Sequence, residues 1–542
     1  VNMTDQNRAR KHKSNKTKKL IKTMFCSIIV QILILFRYYL DKVINCIFEY
    51  YWSGKEETCS PVHEDFYIMD SAVSIAKKIR EKQLTSEEVV MAYLRRINKV
   101  NYMLNAVIDL RFEKAVEEAK AIDKKIRNGE YTEQDFKKKP FLGVPFTTKD
   151  STAVEGCSHT LGLICRRYMR AATNAEVVRL SIEAGGICLG VTNVPEVNRW
   201  QETYNNLFGL TKNPYKTSRT VGGSSGGEGA IVTACGSAWG LGTDIGGSIR
   251  MPAFYCGIYG HKPTSGLTNM KGCTFRTGQE TNTMVQAGPM TRHAEDLKPL
   301  LKILVGDKIH LLKLDVPVTM QNVKVYYIEE NRDIKCSSVC QPLREALKKV
   351  IRSLESVCSE VKPASAEGIE HSFRLWRYWM TKEPADFATL LNNGDARANG
   401  IHELLKKCIG QSDYTMASIL SLLDSCLKPE NAKWAEELTE KLKSHFEELL
   451  GSDGVLIYPS TTFTAPYHYS AFLRPYNFSY WGIFNVLHLP VTQVPLGLDK
   501  DGLPLGVQIV AAPFNDHLTI AVATELEKIF GGWVPPFKVL SS

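Results

Sequence analysis

VGGSSGGEGAIVTACGSAWGLGTDIGGSIRMPA, residues 221–253, is the stretch on which the reading of this chain turns. Ten glycines in one such span are too many for element interiors, where each costs about 1 kcal/mol relative to alanine in a helix. They serve tight turns or close backbone approach. A flexible linker is disfavoured, because Ala230 to Ala234, Trp239 and Ile245 interrupt the glycines and want burial. A phosphate cradle needs GxxxxGK[ST] or GxGxxG, and neither occurs here. Gly222-Gly-Ser224-Ser-Gly226 satisfies the GxSxG elbow, but Lys216 to Val221 makes a poor preceding strand. The histidine such an elbow requires has only His468, His488 and His517 as late candidates, none in a compelling context.

Outward from this stretch, further blocks fall at suitable distances. Ser248 lies 24 residues after Ser224, and Lys149-Asp150, closing the apolar run from Phe141, lies 75 before it. Gly260-His-Lys-Pro263, Ala287-Gly-Pro-Met290 and Pro504 to Val510 follow. Together these blocks resemble the amidase-signature family over about Asp70 to Phe537. Within it the chain is most similar to membrane-anchored fatty-acid amide hydrolases of the type 2 branch. Gly222 to Gly229 and Pro513 to Thr519 carry that part of the likeness. The resemblance implies an α/β fold, a mixed twisted sheet flanked by helices behind an N-terminal anchor helix. It implies hydrolysis of fatty acid amides through an acyl-serine intermediate, with no cofactor and no metal. Ser248 would attack, Ser224 relay the proton and Lys149 act as base. Backbone N–H groups of Ile245, Gly246, Gly247 and Ser248 would hold the oxyanion, with Ser225, Asp244 and Arg250 in support.

That assignment is chemically coherent. Amide cleavage needs an activated nucleophile, a proton carrier and oxyanion stabilisation. A lysine serves as base only when neutral, so its pKa must fall from about 10.4, and burial can lower it by ~3–5 units. The apolar run Phe141–Thr148 offers such surroundings. A hydroxyl both donates and accepts, so a serine can bridge lysine and nucleophile. Glycines at 246 and 247 would let the chain turn its amides toward substrate. Phe373, Trp376, Trp379 and Met380, at helical spacing, read first as core packing, with a lipid-channel wall as the alternative.

Net charge is +9, but residues 1–22 hold eight basic side chains against Asp5, so the body is close to neutral and nucleic-acid binding is not indicated. Residues 23–36 carry no charge, and the stretch 20–40 is long enough to span a bilayer if Lys22 and Arg37 snorkel. Tyr38, Tyr39, Tyr50, Tyr51 and Trp52 suit an interface. An uncleaved anchor is favoured over an interfacial helix or a cleaved signal, because small residues for a cleavage site are missing. Positive charge on the N-terminal side would leave that tail cytosolic and the catalytic body luminal. The sequon Asn477-Phe-Ser479 is compatible with a lumen. The expected partners are a lipid amide and a membrane, and a homodimer is compatible with the resemblance.

The chain divides into a basic tail (1–22), the anchor (20–40), a linker (41–66) and one catalytic domain (67–540). Thr85-Ser-Glu-Glu88 fits a helix capping box, and amphipathic patterning suggests helices over 111–127 and 175–184 with a strand from 187 to 191. Residues 298–450 read as mainly helical, with strands resuming at 455–458, 491–495 and 505–511 before a closing helix through Phe530. Fourteen cysteines stand singly, without CxxC pairs, so neither a zinc site nor a dense disulfide framework is favoured. Two other readings compete with the lipid amidase: an amidotransferase-type subunit releasing ammonia, and a non-enzymatic membrane-anchored binding protein.

Overall fold

A computed structural model describes residues 30–540 except 282 and 385. Among the described residues thirteen strands form in chain order. They are β1 (Val107–Leu110), β2 (Pro145–Lys149), β3 (Ile187–Thr192), β4 (Tyr204–Asn205), β5 (Gly209–Leu210), β6 (Trp239–Asp244), β7 (Tyr259–Lys262), β8 (Gln286–Thr291), β9 (Lys324–Tyr327), β10 (Glu360–Pro363), β11 (Gly454–Pro459), β12 (Val491–Leu498) and β13 (Pro504–Ala511). Eleven of them make one sheet in the order β1-β3-β2-β6-β8-β7-β12-β13-β11-β9-β10, and β4-β5 is a separate ribbon. The sheet is mixed, parallel at β3-β2-β6 and at β11-β9-β10 and antiparallel elsewhere. The strands that meet at its centre are distant in sequence, as the dispersed motifs imply.

The expected elements form with small shifts at their ends. Thr85 and Glu88 close the capping box of helix Ser86–Leu104. That helix buries Val89, Tyr93, Ile97, Val100 and Leu104, residues three or four apart that lie on one face. Such burial is worth about 1.5–3 kcal/mol per large apolar side chain. Residues 298–450 are mainly helical, but β9 and β10 also lie there. Their four-residue length and charged flanks hid them. Cys188, Cys235, Cys256 and Cys273 are fully buried, in the manner of small hydrophobes.

The N-terminal boundaries need correction. Residues 30–52 are helical, so the helix runs past 40 and through much of the expected linker 41–66. Asp41 explains why it continues along the body: its carboxylate takes a 2.8 Å hydrogen bond from buried Arg474. Farther along that segment Cys59 and Val62 are buried, and Val62 is paired to the Lys538 and Leu540 backbone, while residues 53–58 are exposed. Among the described residues no helix is long and apolar enough to cross a membrane. The basic tail and the first part of the expected span lie outside the described residues. The sequon asparagine, Asn477, is buried and hydrogen-bonded to Ser337 through both ends of its amide, so the folded chain does not present it to solvent.

Candidate active site

β2 and β6 run parallel, in register from Phe146 opposite Trp239. Their carboxyl ends therefore bring Lys149 beside Thr243 and Asp244, the position where open α/β sheets hold ligands. Lys149 is fully buried, and its Nζ lies 2.8 Å from both Ser224 Oγ and Thr243 Oγ1. Burial lowers its pKa from 10.5 to about 7, against the opposing pull of Cys273, Asp244 and Glu228. Removing an ammonium from water disfavours its charged form, and no carboxylate touches it to offset that.

Ser224 stands just before the buried helix Gly226–Thr233, and the Gly223–Ser224 peptide is cis. The glycines are required by close approach. A Cβ on Gly223 would sit 2.4 Å from Trp200 O, and one on Gly226 would sit 2.1 Å from Thr203 Oγ1. Ser225 ties the two blocks together, its N–H donating to Ser248 O at 3.1 Å.

Ser248 lies in the turn between β6 and the short helix Arg250–Tyr255. Asp244 organises that turn. Its carboxylate accepts from the N–H of Gly247 (2.7 Å) and Ile249 (3.1 Å) and from Arg250 Nε and Nη2 (each 3.0 Å). Asn485 Nδ2 adds a further donor at 2.9 Å. Burial pushes the Asp244 pKa up, but Arg250, Lys262 and Asn485 outweigh it and hold the group far below the usual carboxylate range. Arg250 is anchored in turn on Gln508, Asn485 and Trp481 O.

Of the four N–H groups expected to face an oxyanion, Gly247's is therefore committed to Asp244. Those of Ile245, Gly246 and Ser248 donate to no described residue. The two glycines also differ in what they do. Gly247 has φ +117° and packs on Trp481, whereas Gly246 is needed because a Cβ would meet Trp376 Nε1 at 2.8 Å. Ser248 Oγ has no hydrogen-bond partner among the described residues.

Ser224, Thr243, Ile245, Gly246 and Ser248 all line one cavity of about 540 Å³. Its walls are largely apolar and include Phe373, Trp376, Met380, Phe387, Leu390, Leu420 and Phe478. The aromatic stripe thus divides: Phe373, Trp376 and Met380 face the cavity, while Trp379 Nε1 bonds Thr439 at 2.9 Å and packs away from it. His468, His488 and His517 do not line it, and His468 is paired instead with buried Glu202 at 2.6 Å.

Sequence reasoning missed several residues. Thr243 stands within the quoted stretch, next to Asp244, and alternation along a strand sends these neighbours to opposite faces. Glu228 is an acid in a helix otherwise made of small and apolar residues, and that contrast was the available signal. It accepts from Thr147 (2.8 Å) and Thr192 (2.7 Å), and burial raises its pKa to about 7. Asn485 carried no local signal.

Comparison with known proteins agrees with this architecture. The family profile described as Amidase matches residues 88–520. Human fatty-acid amide hydrolase 2 is 43% identical over 494 residues, covering 89% of this chain and 93% of that protein. Fatty-acid amide hydrolase 2-A of Danio rerio is 42% identical, covering 86% and 90%. A solved structure described as fatty acid amide hydrolase superposes with a TM-score of 0.70 at 21% identity, over 94% of this chain and 91% of that one, and it bears on the fold. With the profile spanning most of its length, the chain belongs to the amidase family and is an amide-cleaving hydrolase.

Proposed function

We propose that this enzyme hydrolyses fatty acid amides, such as N-acylethanolamines and primary fatty amides, with Ser248 as nucleophile, Ser224 as relay and Lys149 as base. The observation that carries the reading is a buried lysine, its pKa lowered to about 7, at 2.8 Å from a serine hydroxyl at the edge of an apolar cavity. Neutral Lys149 draws the proton of Ser224 Oγ, which takes that of Ser248 as Ser248 bonds to the carbonyl carbon. The N–H groups of Ile245, Gly246 and Ser248 hold the developing oxyanion. The relay then returns a proton to the leaving amine as the C–N bond breaks. Water, deprotonated along the same route, cleaves the acyl-Ser248 ester to the acid. Catalytic hydrogen bonds commonly tighten only when substrate binds, which accommodates the unpartnered Ser248 Oγ.

The apolar walls favour a long acyl chain over a small polar amide such as glutamine, which weighs against the ammonia-releasing reading. The names of the relatives support the same choice. Membrane association fits a lipid substrate, and the exposed Ile32, Leu33, Leu35, Phe36 and Tyr39 of the N-terminal helix support it. The test is turnover of a lipid amide by the purified chain, with labelling by a serine-directed fluorophosphonate. Ser248→Ala should abolish both. Full activity of Lys149→Ala at neutral pH would overturn the lysine-base mechanism.

A further inference from the structure

Away from the hydroxyls of Ser224, Thr243 and Ser248, the charged side chains lining the cavity are Arg199, Arg276, Glu383 and Asp424, and they have no role in the chemistry above. Arg199 lines the cavity, with its guanidinium carbon 4.6 Å from the centre of the Phe387 ring. Among the described residues it has neither an ion pair nor a side-chain hydrogen bond. The two acids that influence it are occupied elsewhere: Asp424 is held by Arg377 at 3.2 Å and Asp386 by Arg397 at 3.5 Å. Burial lowers the Arg199 pKa, and only the more distant pull of these acids opposes it.

A second cation faces the same space. Arg276, 9% exposed, gives Nη2 to Glu383 at 2.7 Å, while its Nη1 is buried without a partner. The two arginines belong to one corner, because Asn198, the neighbour of Arg199, donates to Thr274 Oγ1 at 3.0 Å, two residues before Arg276. The backbone is bent to present Arg199. Val197 and Asn198 hold φ of 50° and 60°, a left-handed conformation that is costly for a β-branched residue.

An unpaired guanidinium against apolar walls is expensive, and an unused buried N–H adds to the cost. A carboxylate in the cavity would offset the first of these costs, because the Arg199 guanidinium fork can donate two parallel hydrogen bonds to it. Buried arginines elsewhere in the fold are held by carboxylates, as Arg250 and Arg474 are, or by backbone carbonyls, as Arg96 and Arg292 are, whereas the Arg199 side chain has neither among the described residues. We propose that Arg199, with Arg276 lining the same cavity, forms a carboxylate subsite, and that this hydrolase favours amides carrying a long apolar chain and one acid group. This rests on the lipid-amide reading and narrows its substrate class.

The acid group could come from either side of the scissile bond, so the test has two arms. One compares an N-acylglycine with its methyl ester. The other compares the monoamide of a long-chain dicarboxylic acid with its methyl ester. A neutral primary amide of the same length is run beside both. Charged hydrogen bonds of this kind should give the free acid at least about a tenfold advantage in kcat/KM over its ester in one arm, and that arm locates the carboxylate. Arg199→Met should erase most of that ratio, and Arg199→Lys should restore part of it, with the change lying mainly in KM. If both esters are turned over as well as their acids by the unaltered enzyme, the subsite is wrong, whether or not the variants fold. If the neutral amide is not hydrolysed either, the lipid-amide reading itself falls.

Discussion

Replacing Lys149 by methionine should destroy activity and, near neutrality, stabilise the protein. Holding a lysine whose pKa has fallen from 10.5 to about 7 costs the folded state about 5 kcal/mol at and below pH 7. Methionine fills a similar volume without that cost. It forfeits the hydrogen bonds to Ser224 and Thr243, about 1 kcal/mol each. The variant should therefore be more stable by about 2–3 kcal/mol at pH 7. Between pH 7 and 10.5 the unfolded chain binds a proton at this residue that the folded chain does not. Wild-type stability consequently rises relative to the variant by about 1.4 kcal/mol per pH unit. The two should cross near pH 9. Guanidinium unfolding of both proteins from pH 6 to 9.5 measures this, followed by tryptophan fluorescence, to which Trp239, stacked on Phe146 of the lysine's own strand, contributes. A stability difference that does not change with pH would refute the claim that Lys149 sits neutral in the fold.

On the proposed mechanism the same lysine sets the pH dependence of rate. Log kcat/KM should climb with unit slope below pH 7 and level off above it, so that pH 9 exceeds pH 7 only about twofold; a climb continuing toward 10.5 would show an unperturbed base. Asp244→Asn removes the charge that pairs with Arg250 inside the protein, and the stranded cation should cost about 3–5 kcal/mol in urea unfolding, with lost turnover. Gly247→Ala places a Cβ 2.5 Å from Trp481 at φ +117°. Strain alone should cost at least about 2 kcal/mol, seen as a lower melting temperature and a large loss in kcat.

What could be read from the sequence follows from what is local. The capping box at Thr85 depends on residues three apart, and it formed as expected. The glycine-rich turns likewise carry their own demands, since a Cβ at position 223 or 226 has no room whatever the rest of the chain does. Lys149 and Ser224 could be brought together only through the resemblance, because no periodicity relates residues 75 apart. Asn485, β9, β10 and the cavity corner at Arg199 and Arg276 lay beyond reach for the same reason. Each acquires meaning from a partner supplied by a distant element. The N-terminal helix continues past position 40 because Asp41 is held by Arg474, a partner more than 400 residues away that the apolar span alone does not signal.

The site depends on the pleat of a single strand. Thr243 and Asp244 are consecutive on β6, so their side chains leave on opposite faces. Thr243 holds the amine of Lys149, and Asp244 holds the turn that carries Ser248. The proposed base and nucleophile are thereby referred to one backbone. A register slip of one residue would reverse both faces together, sending the hydroxyl to the turn and the carboxylate to the lysine. A carboxylate beside Lys149 would keep it protonated and disable it as a base. The pairing of β6 with β2 on one side and β8 on the other, six partners deep on the β8 side, opposes such a slip. On the proposed mechanism, central placement in the sheet serves catalysis, because it keeps the acid that shapes the turn away from an amine that must lose its charge to act as base.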